Sequence, residues 1–566
     1  MVSSASSSFR DRIESALARL ADPSDPARRS FVSFDPELAR RSLTRVEQGA
    51  RAMLPEHEGL TLSVKDLFDV EGQVSTAGSR ARAELPAAVR TASAVSRLID
   101  SGCVLLGRTV MTELAYSGVG WNPHFGTPLN PWDRTVGRIP GGSSSGAAVS
   151  VADGLCDIGL GTDTGGSVRI PAALCGLLGF KPTASRTPRD GAVPLSSSLD
   201  SVGPITRLIS VLSWADAVLA GEPDPCLAVE GDRRASLSGL TFGLPDRWFL
   251  DDLEPVVSHA FFRSIRQIEK AGARLVSLPL PVMTRVPELQ RNGGIAAYEA
   301  SRAHASLIES KRALIDPRVV TRLDAGAHIT DHEYGDLVVA RSAFIREFWR
   351  SLEGVDALLM PTVPIVASRF DEIAFDEGFF RINRLLLRNT SVINLADGCA
   401  ITIPCQLEGE PPVGLSMAAA PLRDRSLIAS AWPVVASLCP SMASLTRDEK
   451  APLSQVLCHP ISLTSRQRRG GLHVLGTSDF DVIGDVLCDV THAFNGRHRV
   501  GVTTHQCKRC STPLRSHQGR YAFRIKVGPT TCPPKTYLDR GVRYECRRAK
   551  HSAHERASRC SKISIR

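Results

Sequence analysis

The sequence predicts an α/β fold, because short apolar runs of strand length alternate with longer segments of helical periodicity. Residues 157–161 and 357–360 have the length and apolar character of buried strands. Residues 91–101 and 255–271 instead repeat apolar side chains at helical spacing. The chain has 566 residues, of which 43% are hydrophobic, so it is long enough to bury a large core. Its length alone would suggest several domains.

The amino-terminal segment reads as a helix. Its side chains Ile13, Ala16, Leu17 and Leu20 fall on one helical face, and no apolar stretch precedes the first charges. We therefore expect a helical segment over residues 1–59 and no secretory signal. No uninterrupted apolar run reaches about 18 residues, so we expect no membrane span and no membrane partner. A cytoplasmic protein is the simplest placement.

Two serine turns lie in a glycine-rich stretch over residues 140–183. Ser143 follows two glycines, and Ser167 follows two more glycines 24 positions later. Glycine pairs permit sharp turns in which backbone N–H groups converge on a ligand oxygen. A flexible linker is excluded, because apolar segments that need burial separate the glycines. Phosphate-loop and GxSxG motifs are absent. The pattern indicates a catalytic centre with a serine nucleophile beside an oxyanion hole.

A serine nucleophile needs a base, and the best candidate is Lys65. The six histidines among the first 440 residues lie in no recognisable motif. Lys65 interrupts a strand-like apolar segment, with Val64 and Leu67 as neighbours, which favours burial. Complete burial lowers a lysine pKa by up to about 3–5 units and makes a neutral amine available. That amine could act through Ser143 on Ser167.

These residues closely resemble the amidase signature family over about residues 60–435. The central block, 161–183 (GTDTGGSVRIPAALCGLLGFKPT), is highly specific. Further matches are VKDLFDVEGQVSTAGS at 64–79, GGSSSG at 141–146 and RNTSVINLADGCAITIPC at 388–405. One departure is Ser145, where many members carry glycine. Serine is small enough for the position, so we do not expect it to abolish activity.

The resemblance implies one large α/β domain over residues 60–438, with a mixed, twisted central sheet covered by helices on both faces. It assigns Lys65 as the catalytic lysine, Ser143 as the bridging serine, often preceded by a cis peptide, and Ser167 as the acyl-forming nucleophile. It implies no metal and no organic cofactor, since lysine supplies the base and the backbone supplies the electrophilic site.

The resemblance also implies the groups around the nucleophile. Asp163 and Arg169 would hold the turn in place. Substrate specificity would involve Ser117 and the stretch 298–322. The oxyanion hole would be built from the backbone amides that lead to the nucleophile, which are those of Thr164, Gly165, Gly166 and Ser167.

The function implied is hydrolysis of a carboxamide through an acyl-enzyme, with a small-molecule amide as substrate and release of a carboxylate and ammonia or an amine. One alternative is the A subunit of glutamyl-tRNA amidotransferase, a glutaminase whose partner subunits act on charged tRNA. That alternative is the only route to nucleic acid that we expect for the catalytic domain. A second alternative is an inactive or misfolded product of a damaged gene. A homodimer is compatible with either enzyme.

The composition changes near residue 440. Residues 441–566 carry 23 Lys or Arg against 9 Asp or Glu, a net charge of +14, whereas residues 1–440 have a net charge of −5. Residues 441–566 also hold seven of the 14 cysteines and eight of the 14 histidines.

Three interpretations of this basic tail, residues 439–566, remain open. Cys507, Cys510, Cys532 and Cys546 suggest a zinc module, but a second closely spaced ligand pair is missing. The charge suggests nucleic-acid binding, but no recognition signature accompanies it. We favour an out-of-frame or read-through stretch that is not a selected domain. In that case Pro433, after the helix-like segment 424–432, would mark where the last core helix is disturbed.

Overall fold

The computed structural model describes residues 9–48, 59–233 and 236–443, together with two short strands, Val542–Tyr544 and Ile563–Ile565. The chain divides into two units, residues 1–462 and 463–566. In the second unit the two short strands pair in antiparallel fashion. Apart from these strands and residues 439–443, the basic tail with its proposed zinc ligands lies outside the described residues. The three interpretations of the tail and its boundary at 438 therefore stay predictions.

A mixed eleven-stranded sheet forms the centre of the first unit. The order of the strands across the sheet is β1-β3-β2-β4-β6-β5-β10-β11-β9-β7-β8. In chain order the strands are β1 Phe31–Phe34, β2 Thr61–Lys65, β3 Val104–Thr109, β4 Ile158–Asp163, β5 Leu178–Lys181, β6 Ser201–Thr206, β7 Thr241–Pro245, β8 Arg274–Leu278, β9 Ala357–Pro361, β10 Cys399–Pro404 and β11 Gly414–Ala419.

Parallel pairing is confined to two groups of strands. Strand β2 runs parallel to β3 and β4, and β7 runs parallel to β8 and β9. The strands from β4 through β6, β5, β10 and β11 to β9 pair antiparallel and join the two groups. This confirms the mixed sheet that the family resemblance implied.

Helices cover the sheet. In chain order they are α1 Phe9–Ala21, α2 Pro36–Glu47, α3 Ser93–Asp100, α4 Ser145–Ala152, α5 Arg169–Leu174, α6 Ile209–Ala220, α7 Pro225–Asp232, α8 Pro255–Lys270, α9 Val286–Leu289, α10 Gly294–Ala303, α11 Ala305–Lys311, α12 Pro317–Ala327, α13 Asp331–Arg350, α14 Asp376–Leu395, α15 Asp424–Leu438 and α16 Pro440–Ala443. Within the described ranges, none of these helices is long and apolar enough to cross a lipid bilayer.

Both faces of the sheet are buried, as the side chains of β3 show. Leu105 packs in the core that contains α3, α6, α8 and α15. Its neighbours Val104 and Leu106 pack in the core that contains α1, α2 and α4. Since successive side chains of a strand point to opposite faces, helices cover both sides. This confirms the layered α/β architecture.

The amino-terminal segment contributes to the same sheet. Helix α1 buries Ile13, Ala16, Leu17 and Leu20, the four residues predicted to share one face. Strand β1 then pairs antiparallel with β3 at the sheet edge. Residues before position 60 therefore supply both a covering helix and an edge strand.

The last core helix bears on one conditional prediction. For an out-of-frame tail we expected Pro433 to mark where this helix is disturbed, whereas α15 continues from Asp424 to Leu438 with Pro433 inside it. Proline lacks the N–H for one helical hydrogen bond, which costs stability. Val434 and Val435, which follow it, are fully buried. Burial of these apolar side chains stabilises the continued helix against that cost.

Candidate active site

Lys65 is the last residue of β2, and its side chain is fully buried. Its Nζ donates hydrogen bonds to Ser143 Oγ and to Thr162 Oγ1, each at 2.8 Å. Thr162 belongs to β4, the parallel neighbour of β2, so the pairing of these strands places its hydroxyl beside the lysine. The structure therefore brings together Lys65 and Ser143, and it adds Thr162, which the sequence analysis missed.

The environment of Lys65 favours the neutral amine. Burial lowers its pKa to about 7, against the opposing attraction of Asp200 and Asp163. Burial likewise raises the pKa of Asp200, although the Thr164 hydroxyl and two backbone N–H groups oppose that rise. Both shifts have the same cause, because a low dielectric disfavours charged forms. A neutral amine near physiological pH can accept a proton.

The first serine turn lies between Gly141 and the start of α4. The peptide bond between Gly142 and Ser143 is cis. The Ser143 carbonyl accepts a hydrogen bond from the Thr112 N–H at 3.1 Å. The Ser144 N–H donates to the Ser167 carbonyl at 3.2 Å, which joins the two serine turns through the backbone. Among the described residues, the hydroxyls of Ser143 and Ser167 form no hydrogen bond with each other.

The second serine turn is organised by Asp163 at the end of β4. Its carboxylate accepts hydrogen bonds from the backbone N–H groups of Gly166 at 2.9 Å and Val168 at 3.1 Å. The Arg169 guanidinium donates to both carboxylate oxygens, at 2.9 and 3.0 Å. Burial alone would raise the pKa of Asp163, but Arg169, together with Lys181 and Asn394, outweighs this effect and holds the pKa well below its usual value. The ionised carboxylate thus fixes the turn that carries Ser167.

Helix α14 locks this turn from the other side. Asn394 accepts a hydrogen bond from Arg169 at 2.7 Å and donates to the Asp163 carboxylate at 2.9 Å. Thr390, one turn earlier on the same face, donates its hydroxyl to the Gly165 carbonyl at 2.6 Å. The sequence analysis used this segment only as a family marker and gave these two residues no role.

The backbone amides near Ser167 are not equivalent. The Gly166 N–H is bonded to Asp163, so it is engaged inside the turn. Within the part of the chain that the structure describes, the N–H groups of Thr164, Gly165 and Ser167 form no hydrogen bond. Gly166 contributes geometry, because its φ of +131° favours glycine and an added Cβ would overlap Thr390 Oγ1. Three of the four predicted oxyanion donors are thus available.

Asp200 ties the second serine turn, which carries the predicted nucleophile Ser167 (the nucleophile turn), to a neighbouring loop. Its carboxylate accepts hydrogen bonds from the backbone N–H groups of Leu195 and Ser196, each at 3.0 Å. The Thr164 hydroxyl donates to its other oxygen. Asp200 therefore holds the side chain of Thr164 while the Thr164 backbone N–H stays unbonded.

A cavity of about 600 Å³ opens beside Ser167. Among the residues that line it are Thr164, Gly165, Ser167 and Ser117. Ser167 is 4% exposed, whereas Lys65 and Ser143 are 0% exposed. Most of the wall is apolar, with Tyr116, Leu195, Leu199, Ile295 and Leu387 among its side chains. Of the three predicted catalytic residues, Ser167 alone lines this cavity.

The two predicted specificity features, Ser117 and the stretch 298–322, differ in how they contribute to the cavity. Ser117 lines the cavity, and its hydroxyl donates to Asn383 Oδ1 at 3.1 Å. In the stretch 298–322, Arg322 lines the cavity, while Tyr298 stacks on Tyr334 with ring centroids 4.1 Å apart.

Among the described residues, no group of three or more His, Cys, Asp or Glu side chains is placed to hold a metal ion.

Known proteins resemble this chain over the region that contains Lys65, Ser143 and Ser167. The family described as Amidase matches residues 11–428. The 2-amino-5-chloromuconic acid deaminase of Comamonas testosteroni is 38% identical over 376 residues, which cover 65% of this chain and 79% of the relative. The A subunit of glutamyl-tRNA(Gln) amidotransferase from Chloroflexus aggregans is 31% identical over 450 residues, covering 73% of this chain and 90% of the relative.

A solved structure is also similar to this chain. A crystal structure of an amidase superposes with a TM-score of 0.64 at 32% identity, covering 74% of this chain and 93% of its own. The family match over residues 11–428 includes the strands and turns that carry Lys65, Ser143 and Ser167. The chain therefore belongs to the amidase signature family and is a hydrolase that acts on amide bonds.

Proposed function

We propose that the protein cleaves a carboxamide C–N bond through a Ser167–Ser143–Lys65 relay and an acyl-enzyme intermediate. The observation that carries this proposal is the buried contact between Lys65 Nζ and Ser143 Oγ, 2.8 Å long, behind a cavity lined by Ser167. A neutral lysine in that position can accept a proton that the bridging serine passes on.

In the first step, Ser167 Oγ attacks the amide carbonyl carbon. Its proton moves to Ser143 Oγ while the Ser143 proton moves to Lys65 Nζ, and the carbonyl π electrons move to the oxygen. The backbone N–H groups of Thr164, Gly165 and Ser167 stabilise the resulting oxyanion. The relay then returns the proton to the leaving nitrogen, the C–N bond breaks, and ammonia or an amine departs.

In the second step, water attacks the acyl-enzyme ester. The water loses its proton through Ser143 to Lys65, and the same relay later returns a proton to Ser167 as the ester C–O bond breaks. The product is a carboxylate, and the enzyme regains its starting protonation. No proton acceptor other than Lys65 is needed in either step.

We propose a small amide as substrate, with the chain acting alone. A cavity of about 600 Å³ with a mostly apolar wall suits a short acyl group. The named activity of the Comamonas testosteroni relative, a deaminase, releases ammonia, and so would the hydrolysis of a primary amide.

The alternative is a glutaminase that works within a larger complex. It has the support of relatives named as the A subunit of glutamyl-tRNA(Gln) amidotransferase, one of which matches over 90% of its length. Such a glutaminase would depend on partner subunits and on glutamine. The two functions differ in their need for partners, which a purified chain can test.

The test is ammonia release by the purified full chain across short aliphatic amides, aromatic amides and glutamine, with Ser167→Ala as the matched control. The proposal expects turnover of at least one simple amide by the wild type and none by Ser167→Ala. Turnover of glutamine alone would favour the glutaminase of a larger complex. Release of ammonia that persists in Ser167→Ala would overturn the relay.

A further inference from the structure

Helix α14 presents a stripe of side chains to the cavity. The cavity-lining residues of this helix are Asn383, Arg384, Leu387, Arg388, Ser391 and Leu395, which repeat at the spacing of one helical face. The stripe passes close to the nucleophile turn, because an added Cβ on Gly165 would lie 3.3 Å from Leu387 Cδ2 and 3.8 Å from Ser391 Cβ. Arg388 follows Leu387 directly along the helix.

Among the residues that the structure describes, none forms an ion pair with the guanidinium of Arg388. Its Nε donates to Asn389 Oδ1 at 3.2 Å, and its Nη2 is buried without a hydrogen-bond partner. Within the described residues it makes no salt bridge, although Asp252 and Asp251, which also line the cavity, attract its charge. The Asp251 carboxylate accepts the Trp248 backbone N–H at 3.0 Å. A half-buried, unpaired guanidinium in a cavity is a site for an anionic group.

Three arginines line the cavity, namely Arg322, Arg384 and Arg388, and Arg322 differs from Arg388 in having protein partners. The Arg322 side chain donates to the Tyr116 carbonyl, and its guanidinium lies over the Tyr116 ring at 3.9 Å from the centroid. The Arg322 guanidinium is therefore engaged by the Tyr116 carbonyl and ring, and its side chain forms part of the cavity wall. Arg384 is exposed and lies one helical turn from Arg388, farther from the nucleophile turn.

We propose that Arg388 binds a carboxylate of the substrate, so that the enzyme acts on amides of dicarboxylic acids. This inference rests on the proposed function and names its substrate class. Guanidinium offers only donors, and carboxylate is its planar, acceptor-only counterpart. The amide lies at Ser167, a short apolar chain lies against Leu387 and its neighbours, and the carboxylate lies at Arg388.

The experiment compares kcat/KM for glutaramic acid and for butyramide, a neutral amide with a similar acyl chain. A hydrogen-bonded charge pair predicts a preference for the acid of about 10- to 100-fold in the wild type. Arg388→Gln removes the preference, and Arg388→Lys, which keeps the charge, restores part of it. Arg381→Gln is the matched control, because Arg381 is an exposed arginine of the same helix that does not line the cavity. It keeps the wild-type ratio.

The outcomes separate the two proposals. The carboxylate site is overturned if the wild type has equal kcat/KM values for butyramide and glutaramic acid. It is also overturned if Arg388→Gln lowers the two kcat/KM values by the same factor. The amidase relay stands in either case. If Arg381→Gln removes the preference, the assignment to Arg388 is also overturned. If no amide is hydrolysed and a fluorophosphonate does not label Ser167, the proposed function fails, and this inference fails with it.

Discussion

The amine nitrogen of Lys65 lies 2.8 Å from the hydroxyl oxygen of Ser143, although the two residues are 78 positions apart in the chain. The contact joins the end of a central strand to the turn that precedes α4. Both side chains are fully buried, whereas Ser167 lines the cavity. The proposed base is therefore shielded from bulk water, and in the proposed relay it acts on the substrate through serine hydroxyls.

This burial predicts how activity depends on pH. The pKa of Lys65 is lowered to about 7, and the relay requires the neutral amine. We therefore expect kcat/KM for a neutral amide to rise with pH through about 7 and to level off above it. Initial rates measured between pH 5.5 and 9 follow this rise in kcat/KM. A value of kcat/KM that stays constant from pH 5.5 to 9 would contradict Lys65 as the base.

Ser143 is the bridge of the proposed relay, and the chain offers a matched control two residues away. Ser143→Ala removes the proton path, so we expect kcat to fall by about 10²–10⁴-fold. Ser145 is equally buried, but its hydroxyl donates to the Val110 carbonyl at 3.2 Å and faces no proposed catalytic group. Ser145→Ala should keep most of the turnover. Equal losses in the two variants would point to a packing role for Ser143.

The glycines before Ser167 should respond differently to alanine. At Gly166 the φ is +131° and a Cβ would overlap Thr390 Oγ1, so Gly166→Ala displaces the nucleophile turn. We expect kcat to fall by about 10²-fold or more, as for loss of an oxyanion donor. At Gly165 the nearest atom to an added Cβ is Leu387 Cδ2, 3.3 Å away at the end of a flexible side chain, so Gly165→Ala should lose less turnover than Gly166→Ala. Steady-state kinetics of both variants measure this difference, and the reverse ranking would contradict the geometry.

The buried pair between Asp163 and Arg169 should dominate the local stability. Arg169→Met leaves the carboxylate without its cation, so we expect the free energy of unfolding to fall by about 3–5 kcal/mol. The exposed pair between Arg312 and Asp324 serves as the control, and Arg312→Ala should leave stability unchanged within error. Urea denaturation followed by tryptophan fluorescence measures both. An unchanged midpoint for Arg169→Met would contradict the role of the pair.

The residues with local sequence signals could be predicted from the sequence. Lys65 stands out as a charge inside an apolar run, and Ser143 and Ser167 stand out by the glycines before them. The alternation of strands and helices indicated the α/β class, and the helix at Pro255–Lys270 ends one residue before its expected end.

Residues that act across the fold carried no such signal. Asn394 reaches Asp163 from 231 positions away, and an asparagine inside a helix has no characteristic pattern. Thr162 reaches Lys65 only because β2 and β4 are paired. The engagement of the Gly166 N–H with Asp163 depends on a loop conformation that the residue types alone do not specify. Helix α15 continues past Pro433 because burial after it outweighs its local effect.

The most direct test of the proposed relay is fluorophosphonate labelling of the full chain, with the modified residue located by mass spectrometry. We expect the label on Ser167, no label in Ser167→Ala, and strongly slowed labelling in Lys65→Ala, since the serine then has no base. Labelling that persists in Ser167→Ala, or that proceeds at the wild-type rate in Lys65→Ala, would contradict the Ser167–Ser143–Lys65 mechanism.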